Sequence, residues 1–300
     1  MSITVTNISK SFKKIEALKN ISFDVKEGEL FGLIGPDGAG KTTLFRVLTT
    51  LLFANEGTAT VAGFDIVKDY KNIRNCVGYM PGKFSLYHDL TVEENLEFFA
   101  TIFGTTIEEN YDLIKDIYIQ IEPFKNRRAG KLSGGMKQKL ALCCALIHKP
   151  KVLFLDEPTT GVDPVSRKEF WEMLKRLQQK GITMLVSTPY MDEAELCDRI
   201  ALIQNGQILE IDTPQKIVKH YPKTIYNISA DNMYLLIKSL KAFKHNYSVY
   251  PFGEFVHYTD KRNDFTPAEL ANYLKNKGLQ NIQINKTKAT IEDTFMELAK

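Results

Sequence analysis

Residues 35 to 42 read GPDGAGKT, and this stretch decides the fold. It matches G-x-x-x-x-G-K-[ST], a pattern in which glycines let the backbone fold into a nest of N–H groups around phosphate oxygens. The apolar run LFGLIG precedes it, and the helical run KTTLFRVLTTLL follows it. A strand, a glycine-rich loop and a helix in this order predict a phosphate-binding loop.

The residues of this loop have predicted roles in binding a nucleotide. Lys41 would neutralise the outer phosphates, and the Thr42 hydroxyl would ligate Mg²⁺. Asp37 adds a negative charge near the phosphates, which weakens binding slightly unless the side chain faces away. The alternative is an ordinary glycine turn, although a chance match has a frequency of only about one in a hundred. The predicted binding residues of the loop are Gly35, Pro36, Asp37, Gly38, Ala39, Gly40, Lys41, Thr42 and Thr43.

A pair of carboxylates ends a second apolar strand, KVLFLDE, at residues 151 to 157. Open α/β sheets bind ligands at the carboxyl ends of their strands, which is where Asp156 and Glu157 would lie. Asp156 is predicted to hold Mg²⁺ directly or through water, and Glu157 to polarise the attacking water as general base. The alternative is a carboxylate that caps the following turn.

A third glycine-containing stretch, LSGGM at residues 132 to 136, precedes the helical run MKQKLALCCALI. It predicts a second anion-binding helix N-terminus. One nucleotide does not need two such sites, so this one would serve a phosphate bound by another subunit. A simple helix cap explains the stretch equally well.

Strand and helix patterns alternate through most of the chain, which predicts an α/β domain with a parallel sheet. The character changes near Tyr221, so we expect a domain over residues 1–220 and a small α+β domain over 221–300. A helical insertion is expected at about 84–135, where Thr91 and Glu94 form a capping box.

Composition sets limits on the partners. The 300 residues carry 39 Lys and Arg against 36 Asp and Glu, a net charge of +3, which argues against a nucleic-acid surface. Four cysteines lack metal-site spacing and are expected to be buried free thiols. Neither a signal peptide nor an apolar run of about 18 residues is present, so we expect a cytoplasmic chain that reaches a membrane only through a partner.

Together these motifs, in this order, resemble the ATP-binding subunits of ABC transporters over roughly Ile3 to Ile211. The resemblance implies a P-loop NTPase fold of ABC type, with an antiparallel β subdomain, a helical insertion and a small C-terminal α+β domain. It implies ATP and Mg²⁺ as cofactors and two subunits that close head to tail. Each ATP would then lie between the Lys41 loop of one subunit and Ser133, Gly134 and Gly135 of the other.

The resemblance also assigns roles to further residues. Phe12 would stack on adenine, although a core aromatic is the alternative. Asp163, in GVDP at residues 161 to 164, would belong to the loop that couples the two sites. The segments LYHDLTVEENLEF, TTGVDPVSR and YMDEAE are most similar in sequence to those of exporters with separate membrane subunits. This resemblance implies a peripheral location on the inner face of the membrane. Phe84, Leu86 and Tyr87 would form the surface that receives a helix of the membrane subunit, or else an internal core.

Two positions depart from the family pattern. Gly82 stands where Gln is usual, and Pro189 stands where His is usual. Both absent side chains would contact the reacting centre, and removing such a contact typically lowers rate by about 10² to 10⁴. Pro189 itself is expected at the first position of a helix that Thr188 caps.

Three functions follow as hypotheses. The first is a transport ATPase that acts as a dimer, which Glu157 supports. The second is a degenerate subunit that holds ATP and completes the site of a second ATPase, which Gly82 and Pro189 support. The third, an ABC ATPase acting on DNA or ribosomes, fits poorly with the near-neutral charge.

Overall fold

The computed structural model describes residues 1–300, which divide into two compact units, Met1–Gln215 and Lys216–Leu298. No helix combines the length and apolar character needed to cross a membrane. The strands of the first unit are β1 (Ile3–Phe12), β2 (Ile15–Val25), β3 (Leu30–Ile34), β4 (Glu56–Val61), β5 (Phe64–Asp65), β6 (Val77–Met80), β7 (Val152–Asp156), β8 (Thr183–Thr188), β9 (Arg199–Gln204) and β10 (Gln207–Asp212).

The helices complete the first unit. Its α-helices are α1 (Lys41–Leu48), α2 (Tyr70–Cys76), α3 (Val92–Ile102), α4 (Ile107–Tyr118), α5 (Gly134–Leu146) and α6 (Pro164–Gln179), and α7 (Pro214–Lys219) spans the boundary between the units. Short 3-10 helices occupy Glu122–Phe124, Ala129–Lys131 and Met191–Leu196. The predicted capping box at the start of α3 is confirmed, because the Thr91 hydroxyl accepts from the Glu94 amide and the Glu94 carboxylate accepts from the Thr91 amide.

Two sheets form the first unit. One is antiparallel, with strand order β2-β1-β4-β5. The other has the order β10-β9-β3-β8-β7-β6 and is parallel except for the hairpin of β9 and β10. Strands β3 and β7 are buried along their whole length, as expected for a sheet covered on both faces.

The register of the parallel sheet positions the site. Ile34 at the end of β3 pairs with Thr188, and Asp156 at the end of β7 pairs with Ser187. The carboxyl ends of three neighbouring strands therefore lie at one edge, and the loops that leave them meet there. This is the edge at which parallel sheets bind ligands.

The second unit has its own core. Strands β11 (Ile225–Ser229), β12 (Asn246–Phe252), β13 (Phe255–Asp260) and β14 (Gln283–Thr287) form an antiparallel sheet in the order β12-β13-β11-β14. Its helices are α8 (Met233–Ala242), α9 (Pro267–Asn276) and α10 (Ile291–Leu298). Residues of the sheet and of α8 and α9, among them Tyr258, Leu240 and Leu274, form a separate apolar cluster.

All four cysteines are free thiols. Cys143, Cys144 and Cys197 are buried, and Cys76 at the end of α2 is half-buried. Burial raises the pKa of each of these thiols.

Candidate functional site

The glycine-rich loop joins β3 to α1 and packs tightly against two other strands. A Cβ atom at Gly35 would lie 2.1 Å from the carbonyl oxygen of Ile203, and one at Gly40 would lie 2.5 Å from that of Ala17. Gly40 also has a φ of 104°, which favours glycine. The loop therefore requires glycine at both positions, because backbone atoms occupy the space that a side chain would need.

The Lys41 ammonium is enclosed by this loop. It donates hydrogen bonds to the carbonyl oxygens of Gly35 (2.7 Å) and Pro36 (2.9 Å), and the side chain is only 3% exposed. Its Nζ lies 3.1 Å from Oε1 of Glu157. A positive charge is thus held at the N-terminus of α1, where anions bind.

Asp156 and Glu157 occupy the end of β7, as predicted. Asp156 is 1% exposed, and the Ser187 hydroxyl donates to its Oδ1 at 2.7 Å. Burial raises the pKa of Asp156, and hydrogen bonds from Ser187 and Thr42 oppose that rise. Two oxygen-bearing side chains suited to a hard cation, Thr42 and Asp156, are therefore in contact.

Glu157 has an unusual backbone conformation. Its φ is 51°, in the left-handed region that residues other than glycine rarely adopt. Its N–H donates to the carbonyl oxygen of Ser187 (3.1 Å) and to the Ser187 hydroxyl (3.0 Å). Hydrogen bonds from the neighbouring strand therefore hold this residue while its side chain points to Lys41.

A cleft of about 680 Å³ opens above the loop, a volume in the range of ligand sites. The predicted residues among its lining are Gly38, Gly40, Lys41, Thr42, Thr43 and Glu157. Of the other predicted loop residues, Gly35 and Ala39 are buried, whereas Pro36 and Asp37 are exposed. Loop residues and the general-base candidate thus share one cleft.

The cleft also has walls that the sequence did not predict. Ile15 and Ala17 of β2 line it, as do Asn205 and Gly206 in the turn between β9 and β10. Asn-Gly between two apolar runs is a hairpin signal, but only the tertiary fold brings that hairpin to the loop. Phe12 is 45% exposed at the end of β1 and is not among the lining residues, although it pairs across the hairpin with Ile15.

Ser133, Gly134, Gly135 and Asp163 form a second group, outside the lining of this cleft. Ser133 caps α5 and accepts from the Met136 amide at 3.4 Å. A Cβ atom at Gly135 would lie 2.9 Å from the Ser166 hydroxyl, so the start of α5 packs on the start of α6. Asp163 caps α6, and the hydrogen bond from the Ser166 amide lowers the pKa of Asp163.

Gly82 lies directly against the end of β7. A Cβ atom at this position would be 2.9 Å from the carbonyl oxygen of Asp156 and 3.7 Å from Cβ of Glu157. The segment after β6 thus approaches the backbone of Asp156 more closely than a side chain at position 82 would allow.

The expected helix start at Pro189 is wrong. Thr188 is the last residue of β8, and a 3-10 helix begins only at Met191 after Tyr190. The Thr188 hydroxyl accepts from the Tyr190 amide (3.0 Å) and donates to the buried Glu193 carboxylate (2.6 Å). This side-chain turn replaces the predicted helix cap.

Known proteins have sequences similar to that of this chain. A model of the ABC transporter family matches residues 18–160. The probable multidrug ABC transporter ATP-binding protein YbhF of Escherichia coli K12 is 39% identical over 303 residues, 99% of this chain but 52% of that protein, so the chain spans about half of its length. The Nod factor export ATP-binding protein I of Rhizobium sp. N33 is 32% identical over 99% of this chain and 97% of that protein.

Solved structures agree with the sequence comparisons. The dimeric structure of MJ0796, a bacterial ABC transporter cassette, superimposes with a TM-score of 0.64 and 26% identity over 70% of this chain and 98% of the cassette. This similarity confirms the predicted fold class. Because a relative of nearly equal length is more than 30% identical, the chain belongs to the family of ABC transporter ATP-binding proteins.

Proposed function

We propose that this chain binds and hydrolyses ATP as the ATP-binding subunit of an export ABC transporter. The observation that carries the proposal is the approach of Lys41 to Glu157, 3.1 Å apart at the base of the cleft, with Asp156, the last residue of β7, directly before Glu157 in the chain. A cation for the phosphates and a carboxylate for the attacking water are thus within reach of one bound nucleotide. The relatives named above, one a probable multidrug transporter protein and one a Nod factor export protein, support the transport role.

The loop residues would bind the phosphates. Backbone N–H groups of the loop after Pro36 and the N-terminus of α1 supply donors, and Lys41 supplies the positive charge. Adenine would lie toward the β1–β2 hairpin, where Ile15 lines the cleft and Phe12 is adjacent in the hairpin. The three lysines of the lining, Lys14, Lys19 and Lys41, suit a polyanionic ligand.

The residues at the base of the cleft fit Mg²⁺. Thr42 and Asp156 offer a hydroxyl and a carboxylate, both hard oxygen ligands, and phosphate oxygens and water would complete the coordination. The bound ion would neutralise charge that develops on the transferred phosphoryl group. The Asp156 carboxylate is fixed for this role by the Ser187 hydroxyl.

Glu157 would act as the general base. Its side chain is 21% exposed, so water reaches it, and its backbone is fixed by Ser187. The carboxylate would orient a water molecule toward the outer phosphate and accept its proton. Lys41 would then exchange its contact with Glu157 for one with the phosphates.

The second group of residues would serve a nucleotide held by another subunit. Ser133, Gly134 and Gly135 begin a helix that does not face the cleft of its own chain, so their N–H groups are available to a second copy or a homologous chain. Asp163 would connect the two sites, because α6 begins beside Gly135. A dimeric cassette among the structural neighbours supports this arrangement.

A groove of about 360 Å³ would receive the membrane subunit. Leu51, Tyr79 and Leu86 line it together with Phe99 and Phe103 at the end of α3. Of the three predicted docking residues, Leu86 lines the groove, whereas Phe84 stacks edge-on against His88 and Tyr87 against Phe98. An amphipathic helix fits such an apolar groove.

The hydrolysis rate is proposed to be reduced. Gly82 and Pro189 offer no side-chain donor or acceptor at the positions where the family pattern has Gln and His. The names of the relatives do not favour the degenerate-subunit alternative. We further propose a peripheral position on the inner face of the membrane, with residues 1–220 as the ATP-binding domain and 221–300 as an accessory domain.

The test is steady-state ATP hydrolysis by the purified chain over a series of protein concentrations, with Glu157→Gln as control. We expect a rate that rises more than linearly with concentration, because two subunits form each site, and a rate lowered by about 10² to 10⁴ in the variant. Equal rates in the two proteins would refute the proposal.

A further inference from the structure

The carboxylate of Glu193 is buried and does not line the cleft. Glu193 belongs to the 3-10 helix Met191–Leu196 and is 3% exposed. A buried charge requires compensation by hydrogen bonds or an opposite charge. Its Oε1 accepts from the Thr159 hydroxyl (2.8 Å), its Oε2 accepts from the Thr188 hydroxyl (2.6 Å), and Nε of Arg167 lies 3.8 Å from Oε1.

The two hydroxyls belong to the two segments that carry the reacting centre. Thr159 lies two residues beyond Glu157, in the turn after β7. Thr188 follows Ser187, the residue that bonds both Asp156 and the Glu157 amide. One carboxylate therefore ties the turn after β7 to the end of β8, with one oxygen for each.

The backbone at Glu157 requires such a constraint. Its φ of 51° is unfavourable for a residue with a side chain, and it persists only where the surroundings impose it. Ser187 holds the N-terminal side of this residue, and the bond from Thr159 to Glu193 holds the turn on its C-terminal side.

The same carboxylate also fixes the segment that contains Pro189. The Tyr190 amide, on one side of Pro189, donates to the hydroxyl of Thr188, on the other side, and this hydroxyl in turn donates to Glu193. The Arg167 guanidinium lies 4.6 Å from the centre of the Tyr190 ring and binds Asp192 at 3.2 Å. Arg167 stands on α6, so the clamp extends to the helix that Asp163 caps.

We propose that Glu193 is a positioning residue of the ATPase site: its carboxylate clamps Thr159 to Thr188 and thereby sets the position of Glu157. The inference rests on the proposed function for its catalytic consequence, but the clamp itself is a property of the fold. It predicts that loss of Glu193 impairs the chemical step and leaves nucleotide affinity intact, because no atom of Glu193 lines the cleft.

The experiment compares Glu193→Ala with Glu195→Ala, an exposed carboxylate on the same short helix. We expect Glu193→Ala to lower kcat roughly 10- to 100-fold, since displacing a catalytic group by about 1 Å can cost 10²-fold. The Kd for a fluorescent ATP analogue should change less than about twofold. Glu195→Ala should match the wild type in both, and Glu193→Gln should be intermediate because its amide retains one acceptor.

A double-mutant cycle tests the route through Thr159. Thr159→Val removes the hydroxyl with little change of shape, and it should lower kcat in the same direction as Glu193→Ala. The double variant should be no slower than Glu193→Ala alone, because both changes break one clamp. Additive effects, or a kcat for Glu193→Ala equal to that of the wild type, would overturn the inference.

Amide hydrogen exchange tests the Glu193 clamp independently of ATP hydrolysis. Exchange measured by mass spectrometry over residues 152–162 should be faster in Glu193→Ala than in the wild type and unchanged in Glu195→Ala. Unchanged exchange in Glu193→Ala would overturn the clamp even if the chain hydrolyses ATP. A wild type that does not hydrolyse ATP, with exchange that responds as expected, would refute the proposed function and leave the clamp standing.

Discussion

Glu157→Gln should tighten ATP binding while it abolishes most hydrolysis. Lys41 Nζ lies 3.1 Å from a Glu157 carboxylate oxygen, so phosphates must compete for this ammonium. Replacing the carboxylate by an amide removes the competing anion and also the repulsion between Glu157 and the outer phosphate. Both effects favour ATP.

The size of the effect follows from the exposure of the two side chains. Exposed ion pairs contribute about 0–1 kcal/mol, whereas breaking a buried pair costs about 3–5 kcal/mol. The Lys41 side chain is 3% exposed and that of Glu157 is 21% exposed, so water screens the pair in part. We assign the competition about 1 kcal/mol, which is a roughly fivefold decrease in Kd.

Equilibrium titration with a fluorescent ATP analogue, without divalent cation and at about 0.15 M salt, measures this Kd. Glu16→Gln is the matched control, because Glu16 lines the same cleft and has the same charge but has no ion pair with Lys41. It should change Kd by less than about twofold. A Kd for Glu157→Gln that is unchanged, weaker, or equal to that of Glu16→Gln would refute the competition.

Three further predictions concern the glycine-rich loop, Pro189 and pH. Gly35→Ala should lower the free energy of unfolding by at least about 3 kcal/mol, because its methyl group would lie 2.1 Å from the Ile203 carbonyl oxygen. Gly181→Ala has open space around it and should cost about 1 kcal/mol, because its φ is 87°. Denaturant unfolding measures both losses, and equal losses would contradict the steric argument. Pro189→His should raise kcat at least about tenfold, since it restores a side chain that can contact the outer phosphate; an unchanged kcat in steady-state assays would show that Pro189 does not limit the rate. Burial raises the pKa of Asp156 above its ordinary value of 3.8, so this carboxyl takes up a proton at a higher pH than a free Asp would. Binding of Mg²⁺ uses the carboxylate, so cation affinity, followed by titration calorimetry in the presence of ATP, should fall more steeply on acidification in the wild type than in Asp156→Asn, which has no carboxylate to protonate. The same pH dependence in both proteins would contradict this.

Those parts of the fold and of the site that depend on local chain geometry could be predicted from the sequence. The loop at residues 35–42, the strand that ends in Asp156 and the capping box at Thr91 each need only a few neighbouring residues, and the structure has each of them in place. Periodicity also indicated the α/β architecture, because buried parallel strands read as apolar runs.

Other parts depend on contacts between distant segments. Thr188 is a residue type that often caps helices. In the structure its hydroxyl accepts from the Tyr190 amide, which forms a side-chain turn, and donates to Glu193. Asn205 and Gly206 reach the cleft only because β9 pairs with β3 in the sheet. The close approach of Gly82 to the end of β7 likewise follows from strand pairing, which no local pattern encodes.

The half-buried thiol at Cys76 offers a practical consequence. The other three cysteines are buried, Cys144 as part of the groove lining, so an alkylating fluorophore should attach preferentially at Cys76. Val77, the next residue, lines the groove proposed to receive the membrane subunit. Since burial raises the pKa of Cys76, labelling will be slow at neutral pH and faster in mildly alkaline buffer. The unmodified chain thus carries its own attachment point for an optical reporter of assembly with a membrane protein.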